Sequence, residues 1–185
     1  MFKTILVALD GSATSNAGLR SALELAGDQQ ARLVGLHVID DASMAVNLEG
    51  GYLPASYIDT LYDSLRKSGQ AILVKAQALA RAAGVEMVPI LIESRGQTVA
   101  HAILQQARKT KADVIVIGTH GRRGVARILM GSDAEQVLRE ARVPVLVVRS
   151  PERAGRRSAA QKHAAGARPA RSRTSGTSAS RAPVA

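Results

Sequence analysis

The segment ADVIVIGTHGRRGVARILMGSDAEQV, residues 112–137, decides the architecture. It opens with a continuous apolar run, the pattern of a strand buried on both faces of a sheet. A polar loop follows, with Gly118, Gly121, Gly124, Arg122, Arg123 and Arg127, and from Gly131 and Ser132 the pattern turns helical. Glycines let the backbone turn and let a ligand approach the amides closely. A helix start adds unpaired N–H groups and the positive end of the helix dipole, which together favour an anion such as a phosphate chain. The spacing Gly118-x2-Gly121-x9-Gly131-Ser132 is neither a Walker P-loop nor the dinucleotide fingerprint. General rules therefore leave two readings open: a phosphate-binding loop, or turn glycines followed by a serine N-cap.

Outward from this segment, strand-like runs occur at 3–9, 31–39, 85–92, 112–118 and 143–149, with Pro144 placed at the start of the last. Helical patterns lie between them. Ala17, Leu19, Ala22, Leu23 and Ala26 mark one face of the first; Ile58, Leu61, Leu65, Ile72, Leu79 and Ala80 mark a longer one from about Tyr57 to Ala83. Two more run from Thr98 to Thr110 and from Ser132 to Ala141. Alternating strand and helix predicts an α/β fold of right-handed βαβ units around an open, mostly parallel sheet. Ligands bind such sheets beyond the carboxyl ends of the strands where strand order reverses, which singles out the loop after the first strand and the glycine loop after the fourth. Residues 40–56 lack periodicity and read as a long loop near that mouth.

Aromatics make up only 2% of the 185 residues, so the core must be built from Ala, Val, Leu and Ile. The absence of cysteine excludes disulfides and thiolate chemistry. The apolar run Ile5–Leu9 meets Asp10 and is too short for a signal peptide, and no apolar stretch is long enough to span a membrane. A cytoplasmic protein without membrane insertion is the expectation. Residues 1–150 carry 17 Lys or Arg against 14 Asp or Glu, whereas 151–185 carry 8 against 1, a net charge of +7. That last segment is rich in Ala, Arg, Ser and Gly and almost devoid of large apolar side chains. A folded domain over 1–150 and a disordered basic tail over 151–185 are predicted.

ILVALDGS (5–12), LHVID (36–40), ADVIVIGTHGRRG (112–124), LMGSDAEQVL (129–138) and VPVLVV (143–148) together resemble the universal stress protein family, in its ATP-binding type with the G-x2-G-x9-G-[ST] pattern. The resemblance implies a three-layer, five-stranded open parallel sheet of order 3-2-1-4-5, of the adenine nucleotide alpha hydrolase-like type. It places Ala8 and Leu9 along the base, Asp10 on the ribose or adenine side, the Val38 backbone against adenine, and Ile117 and Gly118 beside the nucleoside. It places His120, Gly121, Gly131, Ser132, Asp133 and Ala134 on the phosphate side. The implied ligand is ATP, ADP or AMP. Asp133 sets a negative charge near the phosphates, to be offset by a divalent ion such as Mg²⁺ or by Arg122 and Arg123. The implied role is a nucleotide-responsive switch in the stress response, with little or no turnover, dimerising through the edge strand 143–149.

No catalytic residue is assigned. His120 has no acid–base partner fixed beside it, His37 reads as a satisfied interior or rim histidine, and His101 and His163 are scattered. Asp40 and Asp41 read as a polar turn rather than a Mg²⁺ site, and Asp10 or Ser12 could simply cap the first helix. Slow ATP hydrolysis is one alternative. Another is a non-enzymatic dimeric scaffold or adaptor whose tail contacts nucleic acid through its arginines, without aromatics to stack on bases.

Overall fold

The computed structural model of the protein describes residues 1–40, 55–119 and 130–149. The 40–56 loop apart from its ends, His120, Gly121, Arg122, Arg123, Gly124, Arg127 and the basic tail lie outside the described residues. Nine elements follow in order: β1 (Thr4–Ala8), α1 (Ala13–Gln29), β2 (Arg32–Ile39), α2 (Ala55–Ala82), β3 (Met87–Glu93), α3 (Val99–Thr110), β4 (Val114–Gly118), α4 (Ser132–Glu140) and β5 (Val145–Val148). The strands form one parallel sheet, as the strand–helix alternation predicts, of order β3-β2-β1-β4-β5, as the family resemblance implies.

Strand side chains alternate between two cores, one on each face of the sheet. Ile5, Val7, Leu33, Val114 and Val116 pack with Leu19, Ala22 and Ala26 of α1 and Leu73, Ala76 and Ala80 of α2. Leu6, Val34, Leu36, Ile115 and Ile117 pack on the other face with Ala100, Ile103, Leu104 and Ala107 of α3 and Ala134 and Val137 of α4. Small residues on the helices let them sit close to β-branched strands, and that shape complementarity replaces the bulk that aromatics would supply. The buried stripe of α2 matches the expected one at Ala80, with Ile72 partly buried against the same core, and departs from it elsewhere. It runs Gly69, Leu73, Ala76, Ala80, while Leu79 is 52% exposed. The helix has apolar residues on more than one side, and only its C-terminal half is pressed firmly on β2 and β3.

The two sheet edges differ. Leu33 N–H donates to the Glu86 carbonyl, so residues 86, 88 and 90 of the β3 side bond to β2. Pro89 therefore faces the open edge, where its missing N–H costs no ladder bond. On β5, the Pro144 and Val148 carbonyls accept from Ile115 and Thr119, which turns the polar groups of Val145 and Val147 outward.

At the amino end of the sheet, the Asp113 carboxylate accepts from the N–H groups of Lys3 (2.7 Å) and Thr4 (2.9 Å) and so locks the start of β1 to β4. These two backbone donors, aided by the charges of Lys3 and the N-terminus, hold its carboxyl below the usual carboxylate range. A depressed folded pKa stabilises the fold above the ordinary aspartate value of about 3.9, and the effect is lost as pH falls through the lower folded value. Asp113→Ala is expected to lower Tm by a few degrees at neutral pH, with the gap to the parent narrowing on acidification below about pH 4. Thermal circular dichroism across that range checks it.

Candidate functional site

Between β1 and β4 the strand order reverses, and the carboxyl ends of β1, β2 and β4 form one rim. The parallel register sets Ala8 beside Leu36, and Val7 beside Val116. Asp10, Val38, Ile117 and Gly118 consequently fall at this rim. Ala8, Val38 and Ile117 belong to the α3–α4 face, along with Ala134. Leu9 and Ile117 are only 4% and 6% exposed, their side chains spent on the core. At these two positions a ligand would meet backbone.

The turn after β1 is built from short polar side chains. Asp10 N–H donates to Ser15 Oγ (3.1 Å), and the Asp10 carboxylate accepts from Ser12 N–H at Oδ1 (2.9 Å). Gly11 takes φ +81°, a left-handed conformation that favours glycine. Ser12, not Asp10, is the N-cap of α1, accepting from Ser15 N–H. Behind the turn, the His37 imidazole is buried, with Nδ1 2.6 Å from the Leu9 carbonyl oxygen. It is a satisfied interior histidine, as its place in β2 suggests.

The β4 side reaches the same place. A Cβ on Gly118 would stand 2.9 Å from the Thr14 carbonyl carbon and 3.0 Å from the Ser15 nitrogen, so β4 ends pressed against the first turn of α1. The end of β4 and the turn after β1 thus meet at the rim. Thr119, buried and overlooked in the sequence, donates its N–H to Val148 and accepts from Gly131 N–H at 2.7 Å. That second bond ties together the two ends of the segment 120–129. A hydroxyl residue directly behind a fully buried strand was the available signal.

Gly131, rather than Ser132, is the N-cap of α4, and no side chain caps the helix there. Ser132 and Asp133 are exposed and Ala134 is buried. A helix start leaves its first amides without intrahelical acceptors, the property that suits an anion. Asp133 and Glu135 occupy this first turn. They complement the helix dipole and oppose an incoming phosphate. Among the described residues no cluster of three or more His, Asp or Glu could hold a metal ion. No described helix is long and apolar enough to cross a membrane.

Fold and rim define an open, doubly wound α/β protein whose strand order reverses between β1 and β4, the place where sheets of this kind hold ligands. The chain belongs to the universal stress protein family, whose model matches residues 1–149. It is similar to universal stress protein YxiE of Bacillus subtilis, 36% identical over 80% of this chain and all of that one. A universal stress protein of Methanocaldococcus jannaschii is 32% identical over 83% of this chain and 85% of its own length. Among solved structures, a family member from Burkholderia pseudomallei is 38% identical with a TM-score of 0.63, covering 79% of this chain and 95% of its own. A universal stress protein in complex with cAMP is 25% identical with a TM-score of 0.57, covering 80% and 98%. The Archaeoglobus fulgidus protein in complex with dAMP is 25% identical with a TM-score of 0.54, covering 79% and 97%.

The backbone contact at Gly118 gives a mutational contrast. Gly118→Ala forces a methyl against main-chain atoms and is expected to cost about 1–3 kcal/mol. Gly27→Ala, where a Cβ meets nothing within 4 Å, is expected to be neutral or to add about 0.5–1 kcal/mol through helix propensity. Urea denaturation of both variants measures the difference.

Proposed function

We propose that the rim binds an adenine nucleotide and that the protein is a nucleotide-responsive stress-response regulator with little or no turnover. The observation that carries this reading is the intact Gly118-x2-Gly121-x9-Gly131-Ser132 spacing, whose two ends are held together by the Thr119–Gly131 bond beside the Asp10 turn. The cAMP and dAMP complexes of similar proteins support it. Those two ligands share adenine and one phosphate but no free ribose hydroxyl: cAMP keeps only the 2′ and dAMP only the 3′. Base and phosphate are therefore the primary handles in this reading.

Adenine lies along Ala8, Leu9 and the Val38 backbone, with Ile117 and Gly118 beside the nucleoside. Asp10 accepts from a ribose hydroxyl through the oxygen not bonded to Ser12, a charge-assisted contact. His120, Gly121, Arg122 and the α4 start at Gly131, Ser132, Asp133 and Ala134 take the phosphates. Mg²⁺ accompanying ATP would offset Asp133. The domain spans 1–150 and the basic tail follows it. Hydrolysis needs a positioned base, which no residue supplies in this scheme, so any ATPase activity is slow.

Nucleotide released from denatured, freshly purified protein is expected to be an adenine nucleotide, and stripped protein is expected to bind Mg²⁺–ATP in calorimetric titration. Gly131→Val places a branched side chain at the α4 start and should abolish binding while the fold persists. Absence of any adenine nucleotide binding by folded protein would shift the reading to a dimeric scaffold whose basic tail contacts nucleic acid.

Assembly in this reading is a homodimer through β5, whose outward N–H and C=O groups suit pairing with a second copy. Val147→Pro removes one outward donor and leaves the β4 ladder intact. Light scattering should report a dimer for the parent chain and a monomer for the variant; a dimer in both would exclude this edge.

A further inference from the structure

The β1–β2 ladder stops one bond early. Its last pair is Ala8 with Leu36, closed by Leu9 N–H donating to the Leu36 carbonyl at 2.8 Å. In a parallel ladder the next bond would run from Val38 N–H to the Leu9 carbonyl. That carbonyl accepts instead from the His37 imidazole, Nδ1 to O 2.6 Å. Since a carbonyl oxygen only accepts, Nδ1 carries the proton. The imidazole is held in place from α2: a Cβ on Gly69 would come within 2.6 Å of His37 Cδ2 and 2.7 Å of Leu91 Cδ1. Glycine at 69 is what lets the ring lie between α2 and the sheet.

We propose that His37 is a positioning residue for the nucleotide site: by occupying the Leu9 carbonyl it ends the β1–β2 ladder and leaves the Val38 N–H directed at the rim. This deepens the adenine-binding reading, on which its functional part rests. A purine ring presents acceptor nitrogens along its edge, and a backbone N–H at a strand end is a fixed, preorganised donor for one of them. The same imidazole bond orients the peptide that leads into Asp10, so one buried side chain sets both the base side and the ribose side of the rim.

Removing the imidazole donor frees the Leu9 carbonyl to pair with Val38. In His37→Leu, amide hydrogen exchange followed by NMR should show the Val38 amide slowed by about tenfold relative to the parent, as the ladder extends by one bond. Loss of stability alone would speed exchange, the opposite sign. ATP affinity, titrated on the full chain well below Tm, should fall by about fivefold or more. His37→Asn, whose amide nitrogen sits near the place of Nδ1, should restore both the fast Val38 exchange and the affinity. Unchanged or faster Val38 exchange in His37→Leu overturns the proposal, as does parental affinity in that variant. If the parent chain binds no adenine nucleotide, the functional reading falls, and the Val38 exchange rate still decides whether His37 ends the ladder.

Discussion

The structure depends on one close approach, that of Gly118 to the first turn of α1. No side chain fits between the end of β4 and the Thr14–Ser15 backbone, so the strand and the helix meet main chain to main chain. The contact lies at the seam between β1 and β4, where the chain changes from winding in one direction to winding in the other. It places the Asp10 turn and the exit of β4 side by side. It also fixes Thr119, whose carbonyl holds Gly131 and through it the start of α4. A methyl group at Gly118 would disturb the Asp10 turn, the exit of β4 and the start of α4 together.

The core explains why the rim is so largely backbone. With aromatics at 2%, the sheet is filled by aliphatic side chains on both faces, and the strand residues nearest the carboxyl edge are drawn into that packing. Leu9 and Ile117 serve the two opposite cores. What remains at the edge is peptide groups, short polar side chains and glycines. Such a surface recognises through directional donors and acceptors rather than apolar area, and its geometry is only as good as the packing beneath it.

Much of this was legible in the sequence, and the reasons for the remainder are physical. Continuous apolar runs located all five strands, in the central ones because burial on both faces removes polar interruptions, and at the edge strands β3 and β5 despite their partial exposure. The family resemblance supplied their order, which periodicity alone does not contain. In α2 Ile72 and Ala80 pack on the core as expected, but Leu79 turns outward while Leu73 and Ala76 are buried, because packing, not hydrophobicity, chooses between neighbouring apolar stripes. Of the caps weighed for α1, Ser12 serves and Asp10 does not, while for α4 Gly131 takes the place expected of Ser132. Several short polar residues in a row each satisfy the chemistry of a cap, and only backbone direction selects one. The Thr119 and His37 bonds join segments far apart in the chain and leave no local periodic trace.

The contrast between the two sheet edges has a consequence for the way copies of this chain can add to one another. Pro89 interrupts the outward donors in the middle of β3, while β5 presents Val145 and Val147 without interruption. Strand addition to a growing fibre needs two receptive sides on every unit. A unit receptive on one side alone satisfies its partner and leaves only blunted sides outermost. If copies pair through β5 as proposed, association by edge pairing would stop at two, with the imino acid that interrupts the other margin of the sheet working against open-ended polymerisation.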